Sequence, residues 1–120
     1  MRIYLAGPMT GIPSYNFPAF DTAADHLRTL GHTVFNPAEN DRENGFDATG
    51  LKGYEAEQHG FSLRRALKQD LSWICDHADA LAVLPGWHLS KGALTETALA
   101  AALGIPFHLW YEFDENGVAA

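Results

Sequence analysis

The sequence predicts a single α/β domain: a mostly parallel sheet of four to five strands with helices packed on both faces. Two observations carry that prediction. Short apolar runs closed by Gly or Pro alternate along the chain with longer segments whose apolar residues recur every three or four positions. One of the runs, Ala80-Leu81-Ala82-Val83-Leu84, is continuously apolar, as a central strand covered on both faces must be.

The elements follow in order. Ile3-Tyr4-Leu5-Ala6 reads as the first strand, stopped by Gly7-Pro8. Phe17 to Leu30 reads as a helix, with Phe20, Ala24, Leu27 and Leu30 at helical spacing, Pro18 in the first turn and Gly31 as a C-terminal cap. Thr33-Val34-Phe35 is the second strand, ended by Asn36-Pro37. From Ala38 to Gly60 the chain is rich in Asp, Glu, Asn and Gly and has no clear period. It reads as a long mobile loop or lid, with a short helix around Tyr54 to Gln58. Leu63, Leu67, Leu71 and Ile74 form a stripe that predicts a helix over Ser62 to His77, with Cys75 buried in it. The Ala80–Leu84 strand closes on Pro85-Gly86. An Ala-rich helix over Lys91 to Leu103 ends at Gly104, and Pro106 to Trp110 is the last strand. Asp114 to Ala120 reads as a frayed tail. Right-handed crossovers between such strands place helices on both faces, which makes a three-layer, flavodoxin- or Rossmann-like arrangement.

Composition narrows the function classes. The chain has 120 residues, 47% hydrophobic and 19% charged, enough for one domain with a real core. Its formal net charge of −7 argues against binding nucleic acid through the phosphate backbone. No apolar run approaches the roughly 20 residues needed to span a bilayer. The start, Met1-Arg2-Ile3-Tyr4-Leu5, lacks the layout of a signal peptide, and the single Cys75 allows no internal disulfide. A cytoplasmic location is therefore expected.

Ligands of open parallel sheets bind at the carboxyl ends of the strands, so the unusual residues there matter most. Gly7-Pro8-Met9-Thr10-Gly11 is a turn able to aim backbone N–H groups at an oxyanion, or simply a strand-to-loop turn. It has neither the Lys-Ser/Thr ending of a P-loop nor the spacing of a dinucleotide fingerprint. Glu96 lies about one turn into its helix, on the face of Ala93 and Ala100. A carboxyl there either lines a cavity or is a solvated first-turn Glu, and the helix N-terminus favours its ionised form. Asp70 leans inward beside the Leu67–Ile74 stripe and is suited to act as an acid/base partner for Glu96, or to pair with a neighbouring cation. Asp79 reads as a turn or capping residue. In the loop Pro85 to Gly92, Ser90 is placed to cap a helix or bind a phosphate, and Trp87 to stack on a base or plug the sheet edge. His88 has no partner at metal-ligand spacing, so no metal site is expected.

Taken together, Tyr4-Leu5-Ala6-Gly7-Pro8, Asp70-Leu71-Ser72-Trp73-Ile74, Asp79 before an apolar strand, and Ser90-Lys91-Gly92-Ala93-Leu94-Thr95-Glu96 resemble the nucleoside 2-deoxyribosyltransferase superfamily. The nearest likeness is to its small phage and prophage-type proteins, which carry AGPMTG, NFPAF and LPGW..S.GA..E. The resemblance covers the chain apart from residues 38–60 and the tail. It implies that Glu96 attacks C1′ of the sugar while Asp70 and Tyr4 assist. It also implies that Gly7, Met9, Thr10, Gly11, Trp87, Ser90 and Gly92 bind substrate. Where nucleoside transferases carry an Asp six residues before the glutamate, this chain has Ser90, as in the branch that hydrolyses deoxynucleoside 5′-monophosphates. The turn here lacks the Arg of that branch's Ser-Ile-Arg-Gly-Gly-like turn. The expected function is cleavage or exchange of an N-glycosidic bond of a (deoxy)nucleoside 5′-monophosphate, with no cofactor. The rival expectation is a nucleotide sensor or sequestering protein on the same fold. The resemblance also implies a homodimer or larger assembly; the aromatic-rich stretch Phe107 to Phe113 reads as its interface, because exposed aromatics favour association.

Overall fold

The computed structural model describes residues 1–56 and 61–118. Four parallel strands form one sheet: β1 (Arg2–Ala6), β2 (Thr33–Phe35), β3 (Ala80–Val83) and β4 (Phe107–Leu109), in the spatial order β2-β1-β3-β4. Helices α1 (Phe17–Thr29), α2 (Pro37–Glu43), α3 (Leu63–His77) and α4 (Lys91–Leu103) connect them. The arrangement is the expected three-layer, Rossmann- or flavodoxin-like one.

Strand alternation divides the core in two. Ile3 and Leu5 of β1 and Ala80 and Ala82 of β3 point to one face, where Phe20, Ala24 and Leu27 of α1 cover them. Tyr4 and Ala6 of β1 and Leu81 and Val83 of β3 point to the other, against Ile74 of α3 and the Ala93 and Ala100 face of α4. Tyr4 is thereby committed to the α3/α4 side. The Arg2 amide donates to Asp79 Oδ2 at 2.7 Å, which ties the entry of β3 to that of β1 and makes Asp79 a turn anchor.

Several expectations need correction. The segment after β2 is not a loop from its start: it opens with α2. Asn36 caps this helix, its side chain accepting from the Ala38 amide at 3.0 Å, and Pro37 occupies the first helical turn. Two bidentate ion pairs hold α2 against α1, Arg28 with Glu39 and Arg42 with Asp21. The expected helix at Tyr54 to Gln58 falls partly outside the described residues. On α3 the inward line is Ala66, Asp70 and Ile74, whereas Leu63 is 57% exposed. Cys75 is exposed, not buried.

The expected frayed tail instead carries a hairpin within its described residues. After a helical turn at Trp110–Glu112, strand β5 (Phe113–Asp114) pairs antiparallel with β6 (Gly117–Val118). His32 holds this hairpin: its Nδ1 lies 3.0 Å from the N-terminal ammonium and its Nε2 2.7 Å from the Asp114 carbonyl. In the aromatic stretch, Phe113 is buried in this chain's own core, while Tyr111 is exposed. Among the described residues no helix is long and apolar enough to cross a membrane.

Candidate active site

The order β2-β1-β3-β4 places the topological switch between β1 and β3. The crevice beyond their carboxyl ends is bounded by the loop after β1 and the loop after β3. The two ends approach so closely that a Cβ on Gly7 would sit 2.8 Å from two Leu84 side-chain carbons. A cavity of about 750 Å³ opens there. That is the size of a small-molecule site. Gly7 to Ile12 form one part of its wall, and Ser90, Lys91, Gly92, Ala93 and Glu96 another. Asp41 of α2 and Asp70 of α3 complete the polar lining, and Tyr15, Phe17, Phe20, Phe46 and Phe61 supply most of the aromatic surface.

Tyr4, Glu96 and Asp70 converge beside this cavity. Tyr4 is fully buried, stacked on Phe35 with 5.3 Å between ring centroids, and its hydroxyl donates to Glu96 Oε2. Glu96 and Asp70 are each 6% exposed. Among the described residues Asp70 Oδ1 has no hydrogen-bond partner. A buried carboxyl oxygen left unpaired is costly for the free protein.

Burial sets the electrostatics. It pushes the Glu96 carboxyl up to about 8, with Asp70 and Asp41 adding to the rise and the Tyr4 hydrogen bond opposing it. It pushes Asp70 up to about 7, with the Tyr4 hydroxyl pulling back in part. Asp41 rises to about 7 through burial and the nearby Asp70. The Tyr4 phenol stays protonated, its pKa raised by burial and by the two carboxyls. The expectation that the helix N-terminus keeps Glu96 ionised is therefore corrected. Glu96 is the sixth residue of α4. The dipole's influence fades after the first turn, and desolvation wins.

The loops are built to hold a roof over the crevice. The Gly11 amide donates to the Gly53 carbonyl at 2.7 Å, the Ser14 amide to the Leu51 carbonyl at 2.8 Å, and the Ala56 amide to the Tyr15 hydroxyl at 2.7 Å. Gly53 has φ +103°, and a Cβ there would lie 2.5 Å from the Ile12 nitrogen. Ser14, Tyr15 and Asn16 are all left-handed, with φ of 54°, 50° and 60°. Three such residues in a row cost about 1 kcal/mol or more each. The Asn16 side chain offsets part of this by donating to the Pro8 carbonyl at 3.0 Å. Ser90 caps α4, accepting from the Ala93 amide at 3.2 Å.

A family model described as "Domain of unknown function (DUF4406)" matches residues 1–109. The chain belongs to the DUF4406 family. The matched region runs from β1 through β4 and contains every carboxyl of the cavity. No curated protein and no solved structure matches the chain.

In this DUF4406 protein the structure brings together most of the residues singled out from sequence. Gly7, Met9, Thr10, Gly11, Ser90, Gly92, Asp70 and Glu96 line one cavity, and Tyr4 bonds Glu96 from behind. The Gly11 amide is already spent on Gly53, so it is no free donor for a ligand. Trp87 is not in the cavity wall: its ring packs edge-on against Phe107 at 5.3 Å, covering the sheet. Sequence reasoning missed three features. Asp41 lies in the segment whose sequence reads as a loop, and the Asn36-Pro37 start of a helix is the signal that points to it. Lys91, the only cation among the described lining residues, sits at the α4 N-terminus. Tyr54, exposed at the mouth, lies over Gly11. Among the described residues no group of His, Cys, Asp and Glu is arranged to hold a metal ion.

Proposed function

We propose that this protein cleaves or exchanges the N-glycosidic bond of a (deoxy)nucleoside 5′-monophosphate. The observation that carries the reading is the trio itself: Glu96 held by a hydrogen bond from buried Tyr4, beside Asp70 with an unpartnered oxygen, in one cavity of small-molecule size. Ionised Glu96 attacks C1′ as the bond from C1′ to the base nitrogen breaks, and Asp70 gives its proton to the departing base. Water or a second base then attacks C1′ of the glycosyl ester, releases the Glu96 carboxylate and returns a proton to Asp70. Tyr4 holds one Glu96 oxygen and leaves the other free to attack. Ser90 and Lys91 at the start of α4 suit the 5′-phosphate, which is drawn to a cation and a helix N-terminus.

The test is chromatographic separation of products after incubation with deoxynucleoside and ribonucleoside 5′-monophosphates, with and without an added free base. Free base released without an acceptor identifies a hydrolase, and a new nucleotide formed only with an acceptor identifies a transferase. Glu96→Ala turning over substrate at the wild-type rate would sink the mechanism. One observation favours a binding role instead: with its carboxyl pushed to about 8, Glu96 is mostly neutral at pH 7 and a poor nucleophile. In that case Glu96→Gln binds nucleotide as tightly as wild type and no bond is broken in either.

A further inference from the structure

Two of the three buried carboxyls in the cavity have work in the reaction proposed above. The third, Asp41, has none, and α2 does not need it. The helix is capped by Asn36 and clamped by Arg42 to Asp21 and by Glu39 to Arg28. Asp41 is only 4% exposed, what exposure it keeps is toward the cavity it lines, and among the described residues no hydrogen bond or ion pair reaches its carboxyl. Its chain neighbour Arg42 turns away to Asp21, and Arg65, beside it in a small side depression, bonds Asn44 instead. A desolvated carboxyl with no structural duty is expensive. It becomes favourable once a ligand brings a donor to it.

We propose that Asp41 reads the nucleobase, its carboxyl accepting a hydrogen bond from an exocyclic amino group of a base lying against Phe46 and Phe61. This rests on the nucleotide reading above. If Glu96 faces C1′ and the phosphate lies at Ser90 and Lys91, the base is the part of the ligand left to reach the α2 wall. That wall suits a planar ring: Phe46 and Phe61 flank Asp41 in the depression and also line the main cavity, their ring centroids 5.2 Å apart. The acceptor selects the base class. A carboxylate accepts from an amino N–H and repels the oxo group of uracil or hypoxanthine, whereas the protonated acid, which burial favours below about pH 7, can also donate to that oxo group, so the selection operates above that pH. A mismatched base leaves Asp41 unpaired, a loss of about 10- to 100-fold in kcat/KM.

The experiment uses substrate pairs differing at the amino position, dCMP against dUMP and dAMP against dIMP. It is run well above pH 7, where Asp41 is a carboxylate, with wild type, Asp41→Leu and Asp41→Asn, and nucleotide binding is followed by calorimetry. The expected result is a wild-type preference of about 10- to 100-fold for the amino member of a pair. Asp41→Leu brings that ratio close to one by losing rate on the amino base, and Asp41→Asn, whose amide can turn either its carbonyl or its NH2 to the base, brings it close to one by gaining rate on the oxo base. Wild type that favours the oxo bases overturns the proposal, a result that depends on no variant folding. So does a variant series whose ratios match wild type while turnover persists, and in both cases the nucleotide reading survives. Wild type that neither binds nor turns over any nucleotide overturns the two together.

Discussion

Replacing Glu96 with Gln should make the protein more stable in alkali while abolishing the proposed glycosidic cleavage. The carboxyl is 6% exposed and pushed up by burial to about 8 from an ordinary value of 4.5. The sign follows from proton counting. Between those two values the folded protein holds a proton that the unfolded chain has released, so stability falls as pH rises through that window and stays low above it. At about 1.4 kcal/mol per unit, the shift sets a ceiling of about 5 kcal/mol on the loss. Water entering the cavity as the carboxyl ionises lowers this to about 2 kcal/mol. Gln keeps the shape, still accepts from Tyr4 and never ionises. Glu96→Gln should therefore melt about 6–10 °C above wild type at pH 9. At pH 4, where both states of the wild-type chain are protonated at this position, the two should melt together. Thermal unfolding by circular dichroism at the two pH values decides it. Equal melting temperatures at pH 9 would refute the reasoning, because an acid that is desolvated in the fold cannot ionise without cost.

Three more outcomes follow from the same geometry. Because the proposed reaction needs Glu96 ionised and Asp70 protonated, it predicts a bell-shaped pH dependence of kcat/KM, with apparent values of the pair of about 7 and about 8, and Asp70→Asn should remove its alkaline limb. Tyr4→Phe takes away the hydroxyl that holds both the Glu96 and the Asp70 carboxylates down, so both limbs should move to higher pH and activity should fall about 10- to 100-fold. Gly53→Ala forces a Cβ against the Ile12 nitrogen at positive φ, and should loosen the roof by about 1–3 kcal/mol. Hydrogen exchange would show this as faster exchange at the Gly11 and Ser14 amides, with β3 unchanged.

The amino-acid sequence by itself determined the layers and two of the catalytic candidates. The strands and the three long helices were legible because each carries a strong local signal: an apolar run ended by Gly or Pro, or a helical period with a cap. Glu96 stood out because a carboxyl on the face of Ala93 and Ala100 breaks an otherwise apolar pattern. The same logic failed where the pattern itself was interrupted. Helix α2 is seven residues long and turns Asp41 inward with Pro37 and Ala38, so the residue that matters most there erased the period that would have revealed the helix. On α3 the leucine stripe misled, because an apolar-walled cavity draws leucines as a core does: Leu63 and Leu67 line the cavity without being buried, whereas the buried line is Ala66, Asp70 and Ile74, of which Ala66 and Asp70 also reach the cavity. Only the tertiary structure decided how these residues act on one another. Residues 4, 41, 70 and 96 are brought together by the β1/β3 switch point and the packing of α2, α3 and α4. Their ionisation follows from the water excluded there, a property of the assembled cavity that no local stretch of chain carries.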